Sequence, residues 1–420
     1  MNAMKITTLT AVIGLTLASG NLWAVGRLSE YPASEPASTI APGFYPTISI
    51  GVTNSSNARL ATANGQRDTS VFTRPSAYYR KDVGKHTFDI GADVEIANYK
   101  NFSTEDLHNY AVVSRLGLDL TPLIDINAGA GFERNTDERD LVDRATLATA
   151  EPSDLRRWRH GVVSAELKFG RRENRMQIAI AGSKGEYRYL DDLDKVRERD
   201  HTGVKGTVYY NATGRTRLLL EASSTDINYI SDASKLDNTE DRVMAGVEIG
   251  GRVQNVPGVR NSRRQLSIAG SRVALKAGSI KKDMDDPSKE DYSGVGYEAN
   301  VYWKPVQRST VHLSASRLPY ESIDKNQPYV IGDSLEAEWQ HALTSRIQTG
   351  LNISSRDDNF SSSDRSDKLT YYGAKLTYDW KRWLDIGLSY EHSKRDSNVE
   401  NAAYDNDSVT LELIAGRRNQ

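Results

Sequence analysis

From Tyr45 to Ala415 the chain alternates apolar and polar residues with a period of two. No other feature constrains the fold as much. In Asp385–Glu391, Ile386, Leu388 and Tyr390 share one face while Asp385, Ser389 and Glu391 share the other. Ser408–Leu413, Thr87–Ile96, Ser164–Phe169, Gln177–Ile180, Val243–Ile249 and Val295–Trp303 repeat the pattern. Successive side chains of a strand point to opposite faces, so this period describes strands with one apolar and one polar side. Helical spacing never lasts beyond about one turn. Eighteen such segments run from Tyr45–Asn54 to Asn406–Ala415.

The connections alternate too. Asp82–Lys85, Thr121–Ile124, Gly170–Asn174, Asn211–Thr216, Lys304–Ser309, Leu343–Arg346 and Asp379–Trp383 are short. Those between them, such as Ser55–Thr69, Thr136–Arg157 and Ser397–Asp405, are longer and polar, and Gln254–Gly270 is one long connection among the short ones. Several strands that enter a short turn end in or near an aromatic on the apolar face: Phe169, Tyr210, Trp303, Trp339 and Tyr378. Aromatics aligned at one end of alternate strands suit a lipid-side interfacial girdle and have no role in a soluble sandwich or solenoid. The expected fold is all-β: one transmembrane antiparallel up-and-down β-barrel of about eighteen strands with both termini periplasmic. Closure pairs every backbone amide without exposing a sheet edge to hydrocarbon. A barrel this wide has more interior than side chains alone fill.

The remaining composition fits. A length of 420 residues suggests two or three domains, yet no break in the strand pattern divides them. Lys and Arg total 54 against 56 Asp and Glu, which leaves no polybasic surface for nucleic acid. The absence of Cys excludes a disulfide framework, a Cys-ligated zinc and a thiol nucleophile. Lys5, the apolar run Ile6–Ser19 and the exit Asn21–Ala24 read as a signal peptide over residues 1–24, an anchor helix being the other reading. Residues 25–44, with Pro32, Pro36 and Pro42, read as a periplasmic linker, or as a segment that folds into the cavity; residues 45–420 read as an outer-membrane barrel. Its surroundings are then outer-membrane lipid and lipopolysaccharide.

The face opposite the apolar set supplies the expected lumen. Its acids are Asp89, Asp93, Glu95, Asp125, Glu133, Glu166, Glu221, Glu248, Glu298, Glu336, Glu338, Asp385, Glu391 and Glu412. Its bases are Arg115, Lys168, Lys205, Arg217, Arg272, Lys276 and Lys375. The acid excess predicts a preference for cations or neutral sugars, unless paired ladders cancel the field. Tyr209, Tyr302 and Tyr371 lie on the same face, where they either stack on sugar rings or fill space. The seven His are scattered with no ligand spacing, so no metal or other cofactor is expected. His160, His312, His341 and His392 read as strand or rim residues, and no nucleophile–base pair marks an enzyme. Asp283, Asp285 and Asp286 read as a solvated loop, with a divalent cation near lipopolysaccharide as the alternative.

Two segments, Asp291–Arg317 and Tyr404–Leu413, carry strand–turn–strand wording. In them the chain resembles the outer-membrane barrels encoded with exopolysaccharide synthesis genes, the EpsL-like or "putative β-barrel porin 2" group. The chain departs from such barrels in ending Ala415-Gly-Arg-Arg-Asn-Gln420 rather than on an aromatic. The resemblance implies an exit conduit for a secreted exopolysaccharide or capsular polysaccharide, working with a periplasmic polysaccharide-export protein. Gln254–Gly270, the one long connection on that side, is either the docking segment for that partner or simply a long hairpin. A general or solute-specific diffusion porin is the alternative function.

Overall fold

The computed structural model describes residues 41–61, 64–136, 155–172, 174–190, 192–231, 235–253, 268–322, 327–399 and 402–416. Nine strands form the first half: β1 (Gly43–Ser55), β2 (Asp68–Val83), β3 (His86–Tyr99), β4 (Leu107–Asp119), β5 (Ile124–Thr136), β6 (Arg157–Phe169), β7 (Met176–Tyr189), β8 (Arg199–Asn211) and β9 (Thr216–Tyr229). The second half comprises β10 (Asn238–Val253), β11 (Ile268–Met284), β12 (Tyr292–Val306), β13 (Ser309–Glu321), β14 (Tyr329–Ala342), β15 (Ile347–Phe360), β16 (Ser366–Lys381), β17 (Leu384–Ser397) and β18 (Tyr404–Gly416). Each pairs antiparallel with its neighbours in sequence, and β1 closes on β18 from Thr47 opposite Gly416 to Ser55 opposite Ser408. The result is a closed eighteen-strand barrel. Among the described residues no helix is long and apolar enough to cross a membrane.

Because β1 and β18 are adjacent and antiparallel, residues 43 and 416 leave the barrel at the same end. The short turns lie at that end as well. One two-residue turn joins β2 to β3 through Gly84-Lys85, with Gly84 at φ +63°. That left-handed value suits the first position of a type II′ hairpin turn, where glycine carries no steric penalty. β1 begins at Gly43, so Gly43 and Phe44, read from the sequence as linker, belong to the wall. The expected leader, most of the linker, the bulk of the 136–157 loop and the 254–267 stretch of the candidate docking segment lie outside the described residues.

Burial is inverted relative to a soluble protein. Val163, Leu167 and Phe169 of β6 are exposed, whereas Ser164 and Glu166 between them are buried. Glu133, His160 and Lys282 are at most 1% exposed, and buried apolar clusters are small, such as Val113 with Val162. On the outside the apolar band of β6 runs from Phe169 to Gly161, which pairs with Phe132. That height matches the ~9–11 residues of a transmembrane strand. Tyr110, Phe132, Tyr297, Tyr372 and Tyr390 form a second outer aromatic level, with Tyr110–Phe132 centroids 6.1 Å apart and Tyr372–Tyr390 centroids 6.4 Å apart. The strands are 13 to 17 residues long, so each continues past the band at the end away from the termini. There the outer face turns charged, and Arg188 meets Asp200 at 2.6 Å.

Asp68, beyond the band at the start of β2, ties down the β3–β4 connection. Its carboxylate accepts from the backbone N–H of Thr69 (2.7 Å), Asn101 (3.0 Å) and Phe102 (2.9 Å) and from Asn101 Nδ2 (2.9 Å). Burial alone raises a carboxyl pKa, but these bonds outweigh it and hold Asp68 below the ordinary range. Its stabilising contribution is therefore present above the unfolded carboxyl pKa and lost as pH falls below it. Asp68→Asn, which turns an acceptor into a donor, is expected to cost about 1–3 kcal/mol locally. Faster hydrogen exchange at the Asn101 and Phe102 amides, with unchanged exchange in β9, is the expected reading.

Candidate functional site

The inner wall is the candidate site, because strand alternation sends half of all side chains there. Asp89, Asp93, Glu95, Arg115, Asp125, Glu133, Glu166, Lys168, Lys205, Tyr209, Arg217 and Glu221 of β3–β9 occupy the strand face opposite the exposed apolar residues. So do Glu248, Arg272, Lys276, Glu298, Tyr302, Glu336, Glu338, Tyr371, Lys375, Asp385, Glu391 and Glu412 of β10–β18. On the outer face Phe169, Tyr210, Trp303 and Tyr378 are exposed. Trp339 is half-buried there, donating from Nε1 to Ser309 Oγ at 2.8 Å and stacking on His341. Trp380 and Trp383, not anticipated as part of this girdle, are exposed at the same end.

Charges on the inner wall meet across strands and, at i and i+2, along them. Lys276 Nζ lies 2.9 Å from Glu221 and 3.0 Å from Glu298. Arg74 meets Glu95 at 2.8 Å, Lys168 meets Glu166 at 2.6 Å, and Lys375 meets Glu412 at 2.6 Å. Glu412 also accepts from Ser49 Oγ at 2.8 Å, across the β1–β18 closure. Pairing therefore governs this wall more than the acid excess counted from the sequence. Arg74, Arg80, Arg199, Arg242, Lys282, Arg356, Arg365 and Arg395 are further bases among the inner-wall pairs and ring contacts that sequence reasoning missed. Most lie past the apolar band, where both faces are polar and alternation loses its contrast. Lys281-Lys282 illustrates the point: Lys281 is exposed outside and Lys282 is 1% exposed inside.

Two sectors differ in sign. Around β7–β11, at the end near the termini, Arg172, Arg217 and Arg272 all approach Glu248. On β14, Glu336 and Glu338 instead take hydrogen bonds from neutral groups, Ser314 Oγ at 3.2 Å and Gln340 Nε2 at 2.6 Å.

At the other end the wall folds inward. The β12–β13 ladder stops at Tyr297 opposite Arg317, while the β13–β14 ladder continues to Glu321 opposite Tyr329. Glu321 reaches over β12 to bond Lys282 of β11, and it accepts from Tyr229 Oη of β9 at 2.6 Å. Tyr329, Val330 and Ile331 are buried as a result, and Tyr292 packs against Tyr329 at 5.6 Å. The hairpin end thus narrows the mouth away from the termini. Nearby, His160 stacks on Tyr187 at 4.0 Å, with Nδ1 3.4 Å from Glu133. One possible metal-ligand group forms among the described residues: His392 with the exposed Asp405 and Asp407, on the outer face. Sequence spacing gave no sign of it, since two neighbouring strands bring it together. His312 and His341 form no such group.

No curated protein matches the sequence. Solved structures with a similar form include a ferric enterobactin receptor (PfeA) mutant from Pseudomonas aeruginosa, at 8% identity and TM-score 0.45, covering 90% of this chain and 80% of that one. OccK2 (OpdF) from Pseudomonas aeruginosa has 9% identity and TM-score 0.45, with 89% and 97% covered. A BenF-like porin from Pseudomonas fluorescens Pf-5 has 7% identity and TM-score 0.45, with 89% and 98% covered. Likenesses this distant carry no inference about function. The family match is far more extensive, covering residues 43–253 and 265–417 with the model described as "Putative beta-barrel porin 2". With nearly the whole wall matched, the chain belongs to that family of porin-type outer-membrane β-barrels.

Proposed function

We propose that the protein is a diffusion channel for small polar solutes. The observation that carries this reading is the closed eighteen-strand wall, with an apolar band outside and charged side chains inside. Strands about 4.8 Å apart and tilted about 40° give a barrel about 36 Å across between backbones. A width of that order leaves an aqueous path in barrels of this strand number. Polysaccharide exit rests on the family resemblance, and the tyrosines do not favour it. Arg217 lies over one face of the Tyr209 ring at 3.8 Å and Tyr371 is 4% exposed, which leaves the half-buried Tyr302 as the one of the three with no such cover among the described contacts. No catalytic step is proposed.

Liposomes containing the full-length protein should swell in isotonic sugars and amino acids, more slowly as solute size increases. Unchanged permeability, or a deletion strain that loses surface polymer while keeping solute uptake, would favour the polymer conduit. We also propose that both chain ends face the periplasm, because short turns gather there. With no native Cys, single labels are clean. Ser362→Cys should react with an impermeant maleimide on intact cells, and Arg382→Cys only after the outer membrane is opened. The reverse pattern would invert the topology.

A further inference from the structure

The three arginines around Glu248 hold more charge than their one acid neutralises. Glu248 Oε2 accepts from Arg217 Nη2 at 2.8 Å and Nε at 3.2 Å, and from Arg172 Nη2 at 3.4 Å. Oε1 accepts from Arg272 Nη2 at 3.5 Å. Arg217 is otherwise satisfied, donating from Nη1 to Gln177 Oε1 at 3.1 Å and lying over Tyr209. Arg217 and Glu248 form the buried base of the cluster, each with a side chain 10% exposed. Arg172, in the β6–β7 turn, is 24% exposed and Arg272 is 31% exposed. Their bonds to Glu248 are long compared with the 2.7–2.9 Å of a strong charge-assisted pair. Arg272 Nε has no partner among the described residues. Burial and the adjacent Arg217 and Arg272 hold Arg172 below the usual guanidinium range, against the pull of Glu248. These groups are crowded by like charge and under-supplied with anions.

We propose that Arg172 and Arg272 form a binding site on the inner wall for the carboxylate of a small anionic solute. The inference deepens the channel reading and depends on it for the solute's route, though not for binding itself. A planar guanidinium matches a carboxylate through two parallel N–H donors, and Glu248 already shows that this cluster accepts one. Three positive charges and one negative leave room for a second carboxylate without reversing the local sign.

Equilibrium dialysis of radiolabelled gluconate against the full-length, detergent-solubilised protein tests the site, with glucose as the neutral counterpart. Gluconate should bind and glucose should not. Arg172→Gln and Arg272→Gln should each weaken gluconate about tenfold or more. Glu248→Gln, which removes the resident anion, should tighten it, an effect that a merely structural role would not produce. Arg172→Gln sits in a turn and keeps a hydrogen-bonding side chain, so it serves if a strand variant misfolds. Equal affinity for gluconate and glucose, or equal gluconate affinity in wild type and Arg172→Gln, overturns the proposal. Liposome swelling reports separately on the channel: binding without swelling overturns the channel alone, and swelling without gluconate preference overturns the site alone.

Discussion

Lys282→Ala should release the end of the β13–β14 hairpin from the inner wall and raise the current through the open barrel. Lys282 is 1% exposed and bonds Glu321, the residue that pins the hairpin across β12. Removing one partner of a buried ion pair typically costs about 3–5 kcal/mol, because the other charge stays behind without compensation. Tyr229 still donates to Glu321 and the buried Arg199 still attracts it, so the cost falls toward the low end of that range. In planar bilayers the variant should show larger or noisier unitary currents, and its thermal unfolding should begin earlier. Lys282→Met combined with Glu321→Gln should recover much of the wild-type behaviour, since neither buried charge then remains. Identical currents and identical unfolding in wild type and Lys282→Ala would show that the hairpin does not depend on this pair.

Leu411→Arg should destabilise the barrel in lipid by about 2–4 kcal/mol, the penalty for a cation at the bilayer midplane. Leu411 is 56% exposed on the outer face, between Val52 of β1 and Leu388 of β17. Asn359→Arg, near the end of β15 and past the band, should cost only about 0–1 kcal/mol. Guanidinium unfolding from lipid vesicles measures both. Equal effects at the two positions would contradict a bilayer-facing band, and no effect of Leu411→Arg would point to a water-facing outer surface.

Legibility along the chain followed contrast between the faces. In β17 and β18, Ile386, Leu388, Val409 and Leu411 alternate with polar residues, and strand, face and neighbour could be read directly. In the upper parts of β11 and β15, Lys281-Lys282 and Arg356-Asp357-Asp358 put charge on both faces, so parity could not be assigned. The girdle near the termini was visible because its aromatics stand beside short turns. The second level, with Tyr110, Phe132 and Tyr372, escaped notice because it falls within strands, where no turn marks the height.

By itself the sequence determined the strand number, the up-and-down order and the two faces, because these depend on a period of two and on connection length, both local properties. Only the tertiary structure decided which charges meet. Ser49 and Glu412 lie 363 residues apart and touch only because the barrel closes. Lys276 reaches Glu221 across β10 where Gly246 intervenes, and a Cβ there would come 2.4 Å from the Leu275 carbonyl and 2.8 Å from Lys276 Cβ. The arginines around Glu248 come from a turn and two strands, and the hairpin that narrows the mouth bends over β12 to reach β11 and β9. Such contacts depend on register, shear and closure, which relate distant segments and leave no periodic trace in any one of them.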